Sequence, residues 1–203
     1  MALKIGITGG IGSGKSAVCD IFHLLGISVF NSDLEGRKIL EDNEEVKKKV
    51  AALFGPASFS ADGAPDRKYI ASQAFTNPEK LKKLNGIIHP AVALQFHNWC
   101  REHEQEDYIL KEAAVLIESG AYKELDAVIL VSAPEALRWA RASQRDRITE
   151  DEIRKRSRNQ MTEKELLPYA RYVIVNDESQ LLIPQVLELH EQLKKAAQSH
   201  SFA

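Results

Sequence analysis

Gly9-Gly10-Ile11-Gly12-Ser13-Gly14-Lys15-Ser16 stands between a short apolar run, Leu3–Thr8, and a segment in which Val18, Ile21, Phe22 and Leu25 recur at helical spacing. The eight residues fit G-x-x-x-x-G-K-[ST], and polyphosphate binding demands those residue types. Glycines let the backbone curl until successive N–H groups point inward at phosphate oxygens. The helix that follows adds its positive N-terminal end. Lys15 has the reach for β- and γ-phosphates, and the Ser16 hydroxyl is a hard ligand for Mg²⁺. Gly10, Ile11, Gly12, Ser13, Gly14, Lys15 and Ser16 are therefore expected to bind a nucleoside triphosphate. The motif by itself does not separate a kinase from a motor, a transporter subunit or a switch.

Outward from this loop, apolar strand-like runs alternate with helical patterns, which predicts an α/β fold with a largely parallel sheet. Strands are expected at 3–8, 27–30, 108–114, 127–133 and 172–175. Gly26 is a stop signal for the first helix. Helical patterns run over 34–54, 66–75, 78–104, 135–165 and 180–197, and the Gly-, Pro- and Ser-containing stretch 55–65 reads as a loop. A break is expected near His89-Pro90, because proline disfavours helical geometry at the residue before it. About 75 residues separate the second and third strands, more than one crossover helix needs. The excess, about 34–105, reads as a helical subdomain inserted into a single domain whose core is about 1–33 and 106–203.

The 203 residues carry 44% hydrophobic and 28% charged side chains, with a formal net charge of −2. No global positive field draws such a chain to nucleic acid or to a membrane. The two cysteines, Cys19 and Cys100, lack metal-ligand spacing and fit a reducing compartment, so a cytoplasmic location is expected. MALKIGITGG lacks the features of a signal peptide, and no run reaches the roughly 20 apolar residues of a membrane span.

A kinase needs a group that takes or orients the proton of the acceptor hydroxyl. Asp33 follows the second strand, which puts it at the carboxyl edge of the sheet, and Arg37 comes four residues later. On one helix both side chains share a face, so Arg37 can grip an acceptor phosphate with its fork. A helix N-cap is the structural alternative for Asp33, and the two roles are compatible. Asp33 to Gly36 also spells D-x-x-G, a switch pattern, but the guanine-reading N-K-x-D is absent from the chain.

Seven arginines lie between Arg138 and Arg158. Arg138, Arg141 and Arg145 share a helix face, and arginine on a flap can stabilise charge spreading over the γ-phosphate. Thr149 to Met161 is the expected flap, within a lid of about 146–165. Individually these arginines also suit a solvated helix with ion pairs to residues such as Glu150 and Asp151. Glu112, at the end of the third strand, is placed for a metal or acceptor role or for a plain surface position. His89 alone reads as a structural hydrogen-bonding residue.

Taken together the motifs resemble the dephospho-CoA kinase family. GITGGIGSGKS (6–16) is similar to that family's P-loop signature. Asn31-Ser32-Asp33 with Arg37 resembles D-A-D-x-x-x-R, with Asn31 and Ser32 as departures. LNGIIHP (84–90) resembles L-N-x-x-x-H-P. Arg141 to Asp146 resembles the lid-entry R-x-x-x-R-D, Arg156 with Gln160 resembles the lid's R-x-x-x-Q, and Tyr172 to Asn176 resembles the last strand and its Asn. The matches run in family order over about 3–177.

The resemblance implies transfer of phosphate from ATP to the ribose 3′-hydroxyl of dephospho-CoA. It implies a three-layer α/β/α P-loop kinase core with a five-stranded parallel sheet in order 2-3-1-4-5, a helical acceptor-binding subdomain and a lid. Asp33, Lys15 and Arg141 would be catalytic, and Arg141, Arg145 and Asn176 would join the P-loop around ATP. Asp33, Arg37, His89 and Glu112 would face the acceptor, with Ser16 on Mg²⁺. Monomer and small homo-oligomer both fit. Glu112-Ala113-Ala114 departs from the family's D-x-P, which keeps the charge and alters the geometry. The motifs also fit two rivals: a P-loop kinase of a nucleoside or sugar, and a nucleotide-dependent switch with little turnover.

Overall fold

Val, Ile and Leu dominate the strands at the centre of the sheet because both of their faces are covered. In the computed structural model, which describes residues 1–199, β1 (Leu3–Thr8), β2 (Val29–Asn31), β3 (Tyr108–Glu112), β4 (Ala127–Ser132) and β5 (Tyr172–Val175) form one parallel sheet. The order is β2-β3-β1-β4-β5, as the family resemblance implies. All five residues of β3 are buried.

Alternation along the strands sends Ile5, Ile7, Tyr108, Leu110, Ile129 and Val131 into one core cluster. Helix α1 (Lys15–Leu24) contributes Val18, Cys19 and Phe22 to it, and the last helix contributes Val186, Leu189 and Leu193. A second cluster joins Val128 and Leu130 to Ala113, Leu116, Ile117 and Leu166. The layer on that side is thinner, made of the turns after β3, a 3-10 turn at Ala121–Glu124 and a four-residue helix.

The chain divides into two compact units, Met1–Asn31 with the chain from Trp99 onward, and Ser32–Asn98. The second holds α2 (Ser32–Asp42), α3 (Glu44–Phe54), α4 (Arg67–Phe75) and most of α5 (Pro78–Glu102). The single helix expected over 34–54 is two helices. The Asn43 side chain accepts from Glu45 N and Val46 N, and this capping geometry ends one helix and starts the next.

The break expected at His89-Pro90 is absent. Pro90 lies inside α5, which runs on with Leu84, Val92 and Phe96 buried. Burial of an apolar stripe on both sides of the proline outweighs the one backbone hydrogen bond that proline removes.

The continuous helix expected over 135–165 is three: α6 (Glu135–Asp146), α7 (Glu150–Ser157) and α8 (Glu163–Leu166). Arg147 turns left-handed at φ 53°, and Thr149 with Glu152 and Thr162 with Glu165 form reciprocal capping boxes. Helix α9 (Leu182–Ser199) closes the fold. Of the tail AAQSHSFA, Ala196 to Ser199 belong to α9, and the rest lies outside the described residues.

Candidate active site

The phosphate cradle begins where β1 ends. Ser13 N donates to Gly10 O at 3.0 Å, and Gly14, at φ 91°, turns the chain into α1. Two of its glycines have a steric cause. Gly12 has φ 76°, and a Cβ there would collide with the Arg138 carbonyl oxygen. A Cβ on Gly14 would collide with Asn176 Nδ2. Lys15 lies along the loop, its Nζ donating to Gly9 O at 2.6 Å and to Gly10 O at 3.4 Å.

Glu112 is drawn into this cradle. It is 6% exposed. Its Oε1 accepts from Ser16 Oγ at 3.0 Å, and its Oε2 accepts from Asn31 Nδ2 at 2.7 Å. The second bond follows from register, since Asn31 and Glu112 are direct partners between β2 and β3. A buried carboxylate with both oxygens bonded is a built position and not a surface one. A hydroxyl beside a carboxylate is a set of hard oxygen donors, the set that Mg²⁺ takes when phosphates and waters complete its shell. Burial raises the pKa of the Cys19 thiol, with Glu112 adding to it, so this thiol stays protonated. Lys111 is 3% exposed, and burial lowers its pKa.

The arginines separate by partner. Arg141 donates to Asn176 O at 3.0 Å, to Asn176 Oδ1 at 3.4 Å and to Glu178 at 3.1 Å. Asn176 Nδ2 in turn donates to Ser13 O at 2.8 Å, which ties Arg141 to the cradle through one side chain. Arg145 instead pairs with Asp146, at 2.7 Å, and the hydrogen bond raises its pKa. Arg156 reaches the same carboxylate at 3.3 Å, which joins α6 to α7.

Two residues outside the expected site touch the loop. Arg138 lies where a Cβ on Gly10 would meet its Nη1, and its Nε donates to Ala133 O at 3.0 Å. Gln160 Oε1 accepts from Ile11 N at 2.9 Å, and its Nε2 donates to Ala114 O at 2.9 Å. A cleft of about 540 Å³ adjoins them, lined by Gly10, Pro134, Arg138, Trp139, Gln160 and Lys164 among others. Helical spacing pointed to Arg138 only as one of a basic face. Gln160 was visible only as part of a family pattern.

Asp33, Arg37 and His89 belong to the helical unit. Asp33 sits in the first turn of α2, one residue inside the helix start, so it is not the N-cap. Arg37 is one turn later, and both are exposed. Helices α2 and α5 approach closely at Gly36, where a Cβ would stand 3.4 Å from Ile88 Cγ2. Arg37 and the half-buried His89, the next residue on each helix, flank that crossing.

A parallel sheet in this order, with a Gly-rich loop closed by a lysine and a serine and backed by a bonded carboxylate, defines a P-loop kinase core. The Dephospho-CoA kinase family model matches residues 3–181. A relative from Bacteroides fragilis (strain YCH46), a dephospho-CoA kinase by name, is 41% identical over 93% of this chain and 92% of its own. One from Chlorobaculum tepidum, with the same name, is 41% identical over 87% and 88%. The solved structure of dephospho-CoA kinase from Campylobacter jejuni superposes with a TM-score of 0.72 at 26% identity, covering 97% of this chain and 99% of that one. This chain belongs to the dephospho-CoA kinase family, and it is an ATP-dependent phosphotransferase. No helix among the described residues is long and apolar enough to cross a membrane.

Proposed function

We propose that this chain transfers the γ-phosphate of ATP to the ribose 3′-hydroxyl of dephospho-CoA, giving CoA and ADP, the last step of coenzyme A formation. One observation carries the choice of acceptor. The family match spans residues 3–181, so it covers the helical unit 32–98 as well as the phosphate cradle that many kinases share.

The amides of Gly12, Gly14, Lys15 and Ser16 and the Lys15 ammonium hold the β- and γ-phosphates, Lys15 exchanging its carbonyl partners for phosphate oxygens. Arg141, tied through Asn176 to Ser13 of the cradle, meets charge that grows in the transition state, and Arg145 joins it from the end of α6. Asp33 takes the proton of the 3′-hydroxyl. Its place in the first turn of α2, exposed and two residues after Asn31, supports that role. Arg37 and His89 hold the acceptor's phosphates.

Ser16 and Glu112 would hold Mg²⁺, which when bound neutralises β- and γ-phosphate oxygens. Glu112 also borders the acceptor. Two free thiols and a net charge of −2 support a cytoplasmic enzyme, a monomer or small homo-oligomer, that acts without nucleic acid or membrane.

The test is product identity. After incubation with Mg-ATP and dephospho-CoA, mass spectrometry should show one added phosphate, and a 3′-specific phosphatase should remove it. A phosphate that resists this enzyme, or none added, refutes the assignment.

A further inference from the structure

We propose that Gln160 is a positioning residue of the phosphoryl-transfer site, holding the tip of the P-loop through the Ile11 amide. This rests on the kinase reading above.

The Gln160 amide is used at both ends. Its oxygen accepts from Ile11 N–H at 2.9 Å, and its nitrogen donates to Ala114 O at 2.9 Å. Ala114 comes two residues after Glu112, whose carboxylate binds Ser16. One side chain therefore bridges the third residue of the cradle and the segment that carries the buried acid.

The chain around Gln160 is itself held. Met161 N donates to Glu118 Oε1 at 2.7 Å, and the Glu163 carboxylate accepts from Ser132 Oγ at 2.6 Å. Gln160 thus lies at the held downstream end of the expected flap, Thr149 to Met161. The α7 part upstream of it carries Arg154 and Arg156, with Arg154 stacked 5.0 Å from the Trp139 ring centroid.

An amide is suited to this post. It offers one acceptor and one donor without charge, so it adds no repulsion beside bound phosphates. With the Ile11 N–H committed to Gln160, the loop tip keeps one conformation, and the amides that follow it stay aimed at the phosphates. Losing the bridge leaves both the tip and the Ala114 carbonyl without this partner. The site loosens without losing any group that touches substrate.

The experiment compares wild type, Gln160→Met and Gln160→Glu. Methionine keeps the volume and removes both polar partners. Steady-state kinetics with Mg-ATP and dephospho-CoA should show kcat lowered about 10–100-fold, the scale of a roughly 1 Å misplacement, with KM for ATP changed far less. Hydrogen–deuterium exchange of the 9–16 peptide should quicken in this variant.

Gln160→Glu carries its own control. As a carboxylate it lacks the donor for Ala114 O and repels phosphate. Once protonated it restores one donor and one acceptor. Its kcat relative to wild type should rise as pH falls through the carboxyl pKa, while Gln160→Met shows no such rise.

A Gln160→Met enzyme with wild-type kcat and wild-type exchange overturns the proposal. If Gln160→Met does not fold, a Gln160→Glu enzyme whose relative kcat ignores pH overturns it as well. If wild type itself transfers nothing to dephospho-CoA, the function reading fails, and loop exchange still decides Gln160: faster exchange in the variant upholds it, unchanged exchange removes it.

Discussion

Replacing Glu112 by Gln tests whether the cradle uses a charge or only a shape. Glu112 is 6% exposed and accepts two hydrogen bonds, 3.0 Å from Ser16 Oγ and 2.7 Å from Asn31 Nδ2. The amide can keep its oxygen on Asn31 and donate its nitrogen to Ser16, whose hydroxyl rotates to accept. Each bond then falls from the charged to the neutral class, a loss of about 1 kcal/mol apiece. Relief from burying a carboxylate offsets part of that. A net loss of at most about 2 kcal/mol lowers Tm by at most about 8 °C for a chain of this size. Loss of the charge should act differently on rate, cutting kcat by about 10²–10³-fold, the scale of one preorganised electrostatic contact. The assay is kcat at saturating substrates over a Mg²⁺ series, with Tm measured alongside. A folded Glu112→Gln enzyme with kcat within about threefold of wild type and the same Mg²⁺ dependence refutes the reasoning.

Asp33→Asn should lower kcat by about 10²–10⁴-fold with ATP affinity unchanged, and a near-normal rate would remove Asp33 as the base. Gly14→Ala should cost about 1–2 kcal/mol from its left-handed backbone alone. It also collides with Asn176, so in a urea-denaturation cycle Gly14→Ala and Asn176→Ala should be less than additive. Burial raises the Cys19 thiol and the Tyr108 phenol above their ordinary 9.0 and 10.0. The unfolded chain then deprotonates first, so this stability is intact below those values and lost as pH rises past them, by about 1.4 kcal/mol per unit and group. Cys19→Ala should flatten the fall between about pH 9 and 10, and parallel wild-type and variant curves would contradict it.

The P-loop was legible because eight consecutive residues carry both its chemistry and its backbone demands, and β4 because burial on both faces makes it almost wholly apolar. Helix ends were read less well. Thr149-x-x-Glu152 and Thr162-x-x-Glu165 were capping boxes in plain letters, yet the arginine pattern across them reads as one helix. Pro90 shows the opposite fault, a local breaker overruled by burial of Leu84, Val92 and Phe96. The bond from Asn31 to Glu112 depends on strand register, and those from Gln160 to Ile11 and Ala114 join residues far apart in the chain. No local pattern encodes such pairs. The family resemblance supplied strand order and the acceptor, neither of which periodicity can give.

The central claim is the acceptor, and a coupled ADP-release assay tests it most directly. With Mg-ATP present, dephospho-CoA should stimulate ADP release strongly, while a panel of nucleosides and sugars should leave it at the basal rate. Stimulation by one of those others, with dephospho-CoA inert, would contradict the account and keep only the P-loop kinase core; silence across the whole panel would turn it towards a nucleotide switch.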